Sequence, residues 1–165
     1  MFQRIAGLGA ILGACTFSAL AAAQTPPGCR VSALADPPRQ VLRCGGGLTI
    51  EAEKDAKYRL IDRNKLEVTS RAVLVNVTPG RRGGFQVLAP HAIASVRGTL
   101  YVVDVKEGET GVFVSRGQVE VMNRSTSESA ILNPGEGSDV IPGKPLDAHP
   151  WAAERVQKLM ARFGR

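Results

Sequence analysis

The sequence predicts an all-β fold, a twin-stranded β-coil of short strands or a flattened β-sandwich, finished by one C-terminal amphipathic α-helix. Three observations predict it. From Phe85 onward, Val-rich segments recur at intervals of about 8 to 12 residues with glycine or proline between them, the spacing of an all-β module. Upstream, Leu48, Ile50 and Ala52 alternate with Thr49, Glu51 and Glu53, the two-residue period of a strand with one wet face. Only residues 150–165 change period, to helical spacing.

The chain opens on a targeting signal. Met1 to Arg4 is a short basic start, Ile5 to Leu20 is apolar and small, and Ala21-Ala22-Ala23 offers an A-x-A cleavage site. Residues 1–23 are thus read as a signal peptide cut after Ala23, which leaves a periplasmic or secreted chain without an integral membrane span. Two other fates stay open. Leu12-Gly13-Ala14-Cys15 looks like a lipobox, so Cys15 is the alternative attachment point of a lipoprotein. The apolar run also approaches the roughly 20 residues of a membrane span. Residues 24–47 follow as a Pro/Gly-rich segment. Its two cysteines, Cys29 and Cys44, form an even pair in an exported chain and read as a disulfide rather than a zinc or redox site, because no Cys-x-x-Cys or neighbouring His accompanies them.

Residues 48–149 read as the β-domain. After Leu48–Glu53 come a weaker strand over Tyr58–Ile61, an alternating one over Leu66–Thr69, and a further one carrying Val73, Val75 and Val77. Pro79 to Gly84 is a loop whose Arg81 and Arg82 read as a solvated turn. Strands are then expected over Phe85–Leu88, Ala92–Val96, Thr99–Val105, Thr110–Ser115, Gln118–Asn123, Ala130–Leu132 and Asp139–Ile141. Leu100 to Val105 is apolar on both faces except at Asp104, the mark of a central strand covered on both sides. Residues 150–165 read as a helix with Pro150 in its first turn and Gly164 after its end. Ala152, Val156, Leu159, Met160 and Phe163 form one apolar stripe. With Trp151, this is the candidate docking helix: its stripe packs on the domain's own sheet, or docks into a partner or lies on a membrane surface with Arg155, Lys158, Arg162 and Arg165.

Three spaced motifs carry a resemblance. Ala92-Ile-Ala-Ser-Val-Arg-Gly-Thr-Leu-Tyr-Val-Val-Asp-Val, then Val112-Phe-Val-Ser-Arg-Gly-Gln-Val-Glu-Val, then Leu132-Asn-Pro-Gly-Glu-Gly resemble, in order, the core strand-hinge-strand, the next hairpin and a later turn of the FecR-like domain. The resemblance runs from about Val73 to Ile141. It implies a module of short strands. The best-known members are transmembrane regulators of iron-uptake genes, with a periplasmic FecR module and a cytoplasmic domain that controls a sigma factor. Only four residues precede Ile5 here, so sigma-factor control and iron signalling are not carried over. The expectation is a stand-alone exported module.

Charge and site chemistry narrow the function classes. Losing the signal's one arginine leaves 20 basic against 15 acidic residues, a mild +5, scattered among acids rather than clustered with aromatics as in a nucleic-acid binder. The two histidines, His91 and His149, lie far apart, and neither belongs to a His-x-His pair. No Gly-x-Ser-x-Gly elbow is present, and the Gly80–Gly84 loop lacks the Lys-Ser/Thr of a phosphate loop. The expectation is therefore no enzyme, no catalytic residue, no metal and no cofactor, but a protein-binding or regulatory module with an envelope protein as partner. A structural component binding peptidoglycan or polysaccharide is the alternative, and an enzyme of unrecognised type stands third. Arg97-Gly98-Thr99 is the tightest motif, either a structural hinge with Arg97 held by Asp104 or loop carbonyls, or a partner-facing arginine.

Overall fold

The computed structural model describes residues 26–165; the predicted signal over 1–23, with Cys15, lies outside the described residues. The described chain forms β1 (Cys29–Ala35), β2 (Pro38–Cys44), β3 (Leu48–Glu53), β4 (Lys57–Asp62) and a long β5 (Lys65–Val77). It continues as β6 (Phe85–Leu88), β7 (Ala92–Val96), β8 (Leu100–Lys106), β9 (Glu109–Arg116) and β10 (Val119–Asn123). β11 (Ser129–Leu132), β12 (Glu136–Val140), a two-residue β13 (His149–Pro150) and α1 (Ala153–Ala161) complete it. The fold is all-β with one helix, as the periodicity predicts.

β5 is shared by two layers. Its first half pairs with β4 and β6, its second half with β3 and β8. The first layer runs β1-β2-β3-β5-β8-β9-β12-β13, and the second runs β4-β5-β6-β7-β10-β11. Together they make a nearly closed, barrel-like sheet. All pairings are antiparallel except β5 with β6. The sequence predicts two separate strands here, one over Leu66–Thr69 and one carrying Val73, Val75 and Val77. The chain instead bends within one strand at Arg71, whose φ is 64°. That left-handed conformation costs a non-glycine residue roughly 1–2 kcal/mol. The next amide is met from outside the ladder: Ala72 N–H donates to Glu53 Oε1 at 3.0 Å.

A second departure concerns residues 24–47. They hold a two-stranded hairpin, not only a pinned Pro-rich loop. β1 and β2 pair from Ala35↔Pro38 to Cys29↔Cys44, and the two cysteines are bonded at that far end. Val41 and Leu42 are buried and join β2 to β3. Pro38 sits at the first residue of its strand, a position that tolerates the missing N–H. The prolines conceal the strand signal on either side of the turn.

The inner faces share one core. Ile50, Val73, Val75, Phe85, Val87, Val103, Val112, Val119, Val121 and Leu132 are all at most 1% exposed within it. Tyr101 is also fully enclosed, its hydroxyl has no partner among the described protein atoms, and burial pushes its pKa up. β8 is central, as its two-faced apolarity predicts: Tyr101 and Val103 face this core, Val102 the opposite side.

α1 covers that opposite side of the first layer. Cross-strand register lines up Glu51, Leu74, Val102, Phe113 and Gly137 in one row, and Ala72, Asp104, Gly111 and Asp139 in the next. Leu159 and Phe163 bury themselves on Ala72, Leu74, Val102 and Phe113, with Val156 and Met160 alongside. The helix begins later than Pro150 suggests. Pro150 pairs with Glu136 in β13, and the non-helical Ala152 (ψ 139°) precedes the first turn. Trp151 thus lies ahead of the helix and Ala152 is exposed, so neither belongs to the stripe. The indole stacks on Phe113 with ring centres 5.5 Å apart, and Arg155 lies 3.4 Å over it. Gly137 makes room, since a Cβ there would fall 2.3 Å from Trp151 Cε2.

Ion pairs fasten both ends of the helix. Arg155 forks onto Asp139 at 2.8 and 2.5 Å. Arg162 reaches Glu53 at 2.5 Å and Asp104 at 2.7 Å, and Arg165 reaches Glu51 at 2.7 Å beside Arg39 at 2.9 Å. Burial alone would raise the Glu51 pKa, but hydrogen bonds from Arg165 and Arg39 outweigh it and hold the carboxyl below its ordinary value. For Arg162, burial opposes the charge, while the bonds it donates to Glu53 and Asp104 raise its pKa above the usual arginine range. The exposed Glu154–Lys158 pair is also formed, at 2.7 Å, but such pairs contribute little.

Three outcomes follow from this latch. Arg162→Met strands two carboxylates that are each 10% exposed, and should cost about 2 kcal/mol in urea denaturation, less than a wholly buried pair because the arginine is one-third exposed; no loss contradicts the latch. Because the folded pKa of Glu51 is depressed, its stabilisation is complete above the unfolded value of about 4.3 and fades as pH falls through the folded one. Glu51→Gln should therefore flatten the acid limb of a stability–pH curve, and an unchanged limb would deny Glu51 that role. Gly137→Ala forces the single tryptophan out of its trough; it should cost about 1–3 kcal/mol and red-shift the fluorescence of Trp151.

Candidate functional site

Among the described residues no helix lies over the outer face of the second layer. Strand register builds it from rows. Lys65, Gln86, Ser95, Glu120 and Ile131 stand side by side on β5, β6, β7, β10 and β11. The next row holds Glu67, Leu88, Ile93, Met122 and Ser129, with Arg59 of β4 bonded to Glu67 at 2.9 Å. Leu88, Ile93 and Met122 are half-buried, and Ile131 is 60% exposed. A polar row therefore grades into an apolar one. The alternation that places Val119 and Val121 inside puts Glu120 and Met122 outside, as the pattern Gln118-Val-Glu-Val predicts.

At the polar end lies an open cleft of about 860 Å³, lined by Arg63, Lys65, Gly84, Gln86, Ser95, Arg97, Gln118, Glu120 and Ile131 among others. The Arg97-Gly98-Thr99 motif divides here. Thr99 is buried and its hydroxyl donates to Gln118 O at 2.9 Å. Gly98 has φ 76°, and a Cβ on it would meet Pro79 Cα at 2.8 Å. These two residues shape the hinge. Arg97 is exposed on the cleft and has no hydrogen-bond partner among the described residues. It does not pair with Asp104, which faces the other layer's helix and is taken by Arg162. Asp104 and Glu120 consequently lie on different faces and form no carboxylate pair.

The neighbouring loop holds a residue that the sequence reading misjudges. Arg81 is not a solvated turn residue. Its guanidinium donates to Gly45 O and Gly46 O, each at 3.0 Å, to Arg63 O, and to Asn64 Oδ1 at 3.4 Å. It ties the β2–β3, β4–β5 and β5–β6 connections together. No sequence signal marks it, since its partners are chiefly backbone carbonyls. Arg82 is exposed. His91 Nδ1 lies 3.1 Å from the hydroxyl of Thr110, a fully buried residue, and His149 lies 3.3 Å from Asp147 on a distant segment. Among the described residues, no three of His, Cys, Asp and Glu gather as metal ligands. No helix among them is long and apolar enough to cross a membrane.

Residues 44–120 match the family model described as FecR protein. The match begins at the end of β2, earlier than the motifs suggest, and stops within β10, short of the Leu132–Gly137 turn. No curated protein matches the chain. Two crystal structures of a candidate anti-sigma factor from Parabacteroides distasonis, at 2.50 and 1.65 Å, share the fold with TM-scores of 0.50 and 0.52 and 19% identity. The similarity covers 78% of this chain but 58% of that one. The chain thus spans little more than half the length of these solved relatives. Over residues 44–120 it is similar to the FecR family.

The divided motif gives a paired expectation. Arg97→Ala should leave the melting temperature unchanged, within about 0.5 kcal/mol, as for a surface residue without partners. Gly98→Ala should lower stability by more than about 1 kcal/mol, through both its backbone conformation and Pro79. Equal effects of the two would overturn this division.

Proposed function

We propose that this FecR-like domain is a non-catalytic, extracytoplasmic regulatory module that binds an envelope protein through the outer face of its second layer. One observation carries the reading: the two layers are finished differently. The first layer's outer face is sealed by α1, with Leu159 and Phe163 buried on it. The second layer's outer face leaves Leu88, Ile93, Met122 and Ile131 partly in water beside the cleft holding Arg97. A contiguous apolar strip rimmed by charge is the usual form of a protein contact.

The Cys29–Cys44 bond supports a location outside the reducing cytosol. The apolar stripe of α1 is spent on the chain's own sheet, which supports docking through the strands instead of the helix. Glycan binding is less well supported. Among the described residues Phe85, Tyr101, Phe113, Trp151 and Phe163 are buried and Tyr58 is half-buried, so no open ring offers a stacking platform for a sugar.

Photo-crosslinking in intact cells tests the assignment. A benzophenone amino acid at Ile93 or Met122 should give one discrete protein adduct, and the same group at the exposed Gln157 of α1 should give none. Adducts from Gln157 alone would move the contact to the helix, against this reading.

A further inference from the structure

We infer that the free edge of β1 is a second binding site, which takes an extended acidic peptide segment as an added strand. Among the described residues β1 pairs only with β2, and its seven residues form the margin of the first layer. From Arg30 to Ala35 every residue is exposed, and Val31 and Leu34 are 45% and 40% exposed, so the strand overhangs the core with both faces in water.

The register shows what the edge offers. Gly45 N–H donates to Gly28 O at 3.1 Å, which brackets Cys29↔Cys44 as a non-hydrogen-bonded pair. By alternation Val31 and Ala33 are also non-bonded pairs, and their N–H and C=O groups point away from β2. Edge strands are ordinarily protected by lysine, proline, a bulge or brevity. β1 carries neither Lys nor Pro and only one charge, Arg30; it pairs without a register shift and is stapled at its end by the disulfide. Such an edge accepts a further strand by main-chain hydrogen bonding.

Charge states the chemistry of that strand. Arg30 stands directly opposite Arg43, a like-charge pair that weakens the hairpin. Arg43 leans over the edge strand to reach Ser32 Oγ at 3.3 Å. Neither arginine forms a salt bridge among the described residues. Their row continues through Thr49, Asn76, Leu100 and Arg116 without a single acid. An added strand places a side chain beside Arg30 on the same face, and a carboxylate there supplies the missing counter-charge. On the opposite face of β1, Val31 and Ala33 stand across from Leu42 and Gln40.

The test uses the disulfide-bonded chain without its signal and two synthetic peptides, acetyl-Thr-Leu-Val-Thr-Val-Glu-Thr-amide and the same peptide with Lys for Glu. Hydrogen exchange read by NMR should show the amides of Val31 and Ala33 protected by the Glu peptide. The Glu peptide should bind about two- to fivefold tighter than the Lys peptide, the value of one cross-strand charge pair. Arg30→Glu, at an exposed position, should invert that preference. Protection at Val31 and Ala33 without peptide, together with a doubled mass in sedimentation, would assign the edge to a second copy and overturn the proposal. Protection confined to the second layer, no protection at millimolar peptide, or indifference to charge would overturn it as well. The crosslinks from Ile93 and Met122 are independent of this edge, so the two assignments fail separately.

Discussion

The fold hangs on the carboxylate of Glu53. β5 must serve two layers, and it does so by bending at Arg71, which leaves the Ala72 amide outside the regular ladder. Glu53 accepts that amide with one oxygen and holds Arg162 with both. A single side chain thus satisfies the bend that joins the layers and anchors the helix that covers one of them. Asp104 completes the cluster from β8, the next strand across. Desolvating three charges is costly, and the compensation lies in their mutual hydrogen bonds. Removing one member is consequently worse than replacing the whole set by apolar groups.

This arrangement makes the two outer faces unequal. In the first layer, Leu74, Val102 and Phe113 stand in one row with a charged row beside it, and α1 meets both with matching apolar and basic residues. In the second layer, the strip containing Leu88, Ile93 and Met122 has no such complement among the described residues. A β-layer with one face on the core normally presents polar residues to water on the other. The proposed contact rests on the departure from that rule at Leu88, Ile93, Met122 and Ile131. The FecR-like match falls across both layers, so the family likeness concerns the scaffold and not the second layer's outer face in particular.

Strands with strict alternation or flanking glycine were legible in the sequence. Leu48–Glu53, Phe85–Leu88 and Ala92–Val96 occur with the expected bounds, because a half-buried strand writes its two faces into alternate residues. The two-faced apolarity of β8 correctly signalled coverage on both sides. What local patterning concealed had non-local causes. The continuity of β5 depends on Glu53, eighteen residues before Arg71 and on another strand. The hairpin of β1 and β2 was masked by Pro37 and Pro38, which sit at the turn. Pro150 resembled a helix start but pairs with β12, and the site residues divided for the same reason. Thr99 and Gly98 answer to Gln118 and Pro79, whereas Arg97 has no hydrogen-bond partner among the described residues. Arg81 was unreadable because carbonyl partners leave no residue-type signature.

Native-state hydrogen exchange along β5 tests the central claim most directly. If one strand governs both layers, the amides of Leu66 and Val68 should exchange only through global unfolding, with the same opening free energy as those of Val73 and Val75. A lower-energy opening confined to Lys65–Ser70 would show that the layers unfold separately, and would contradict the account.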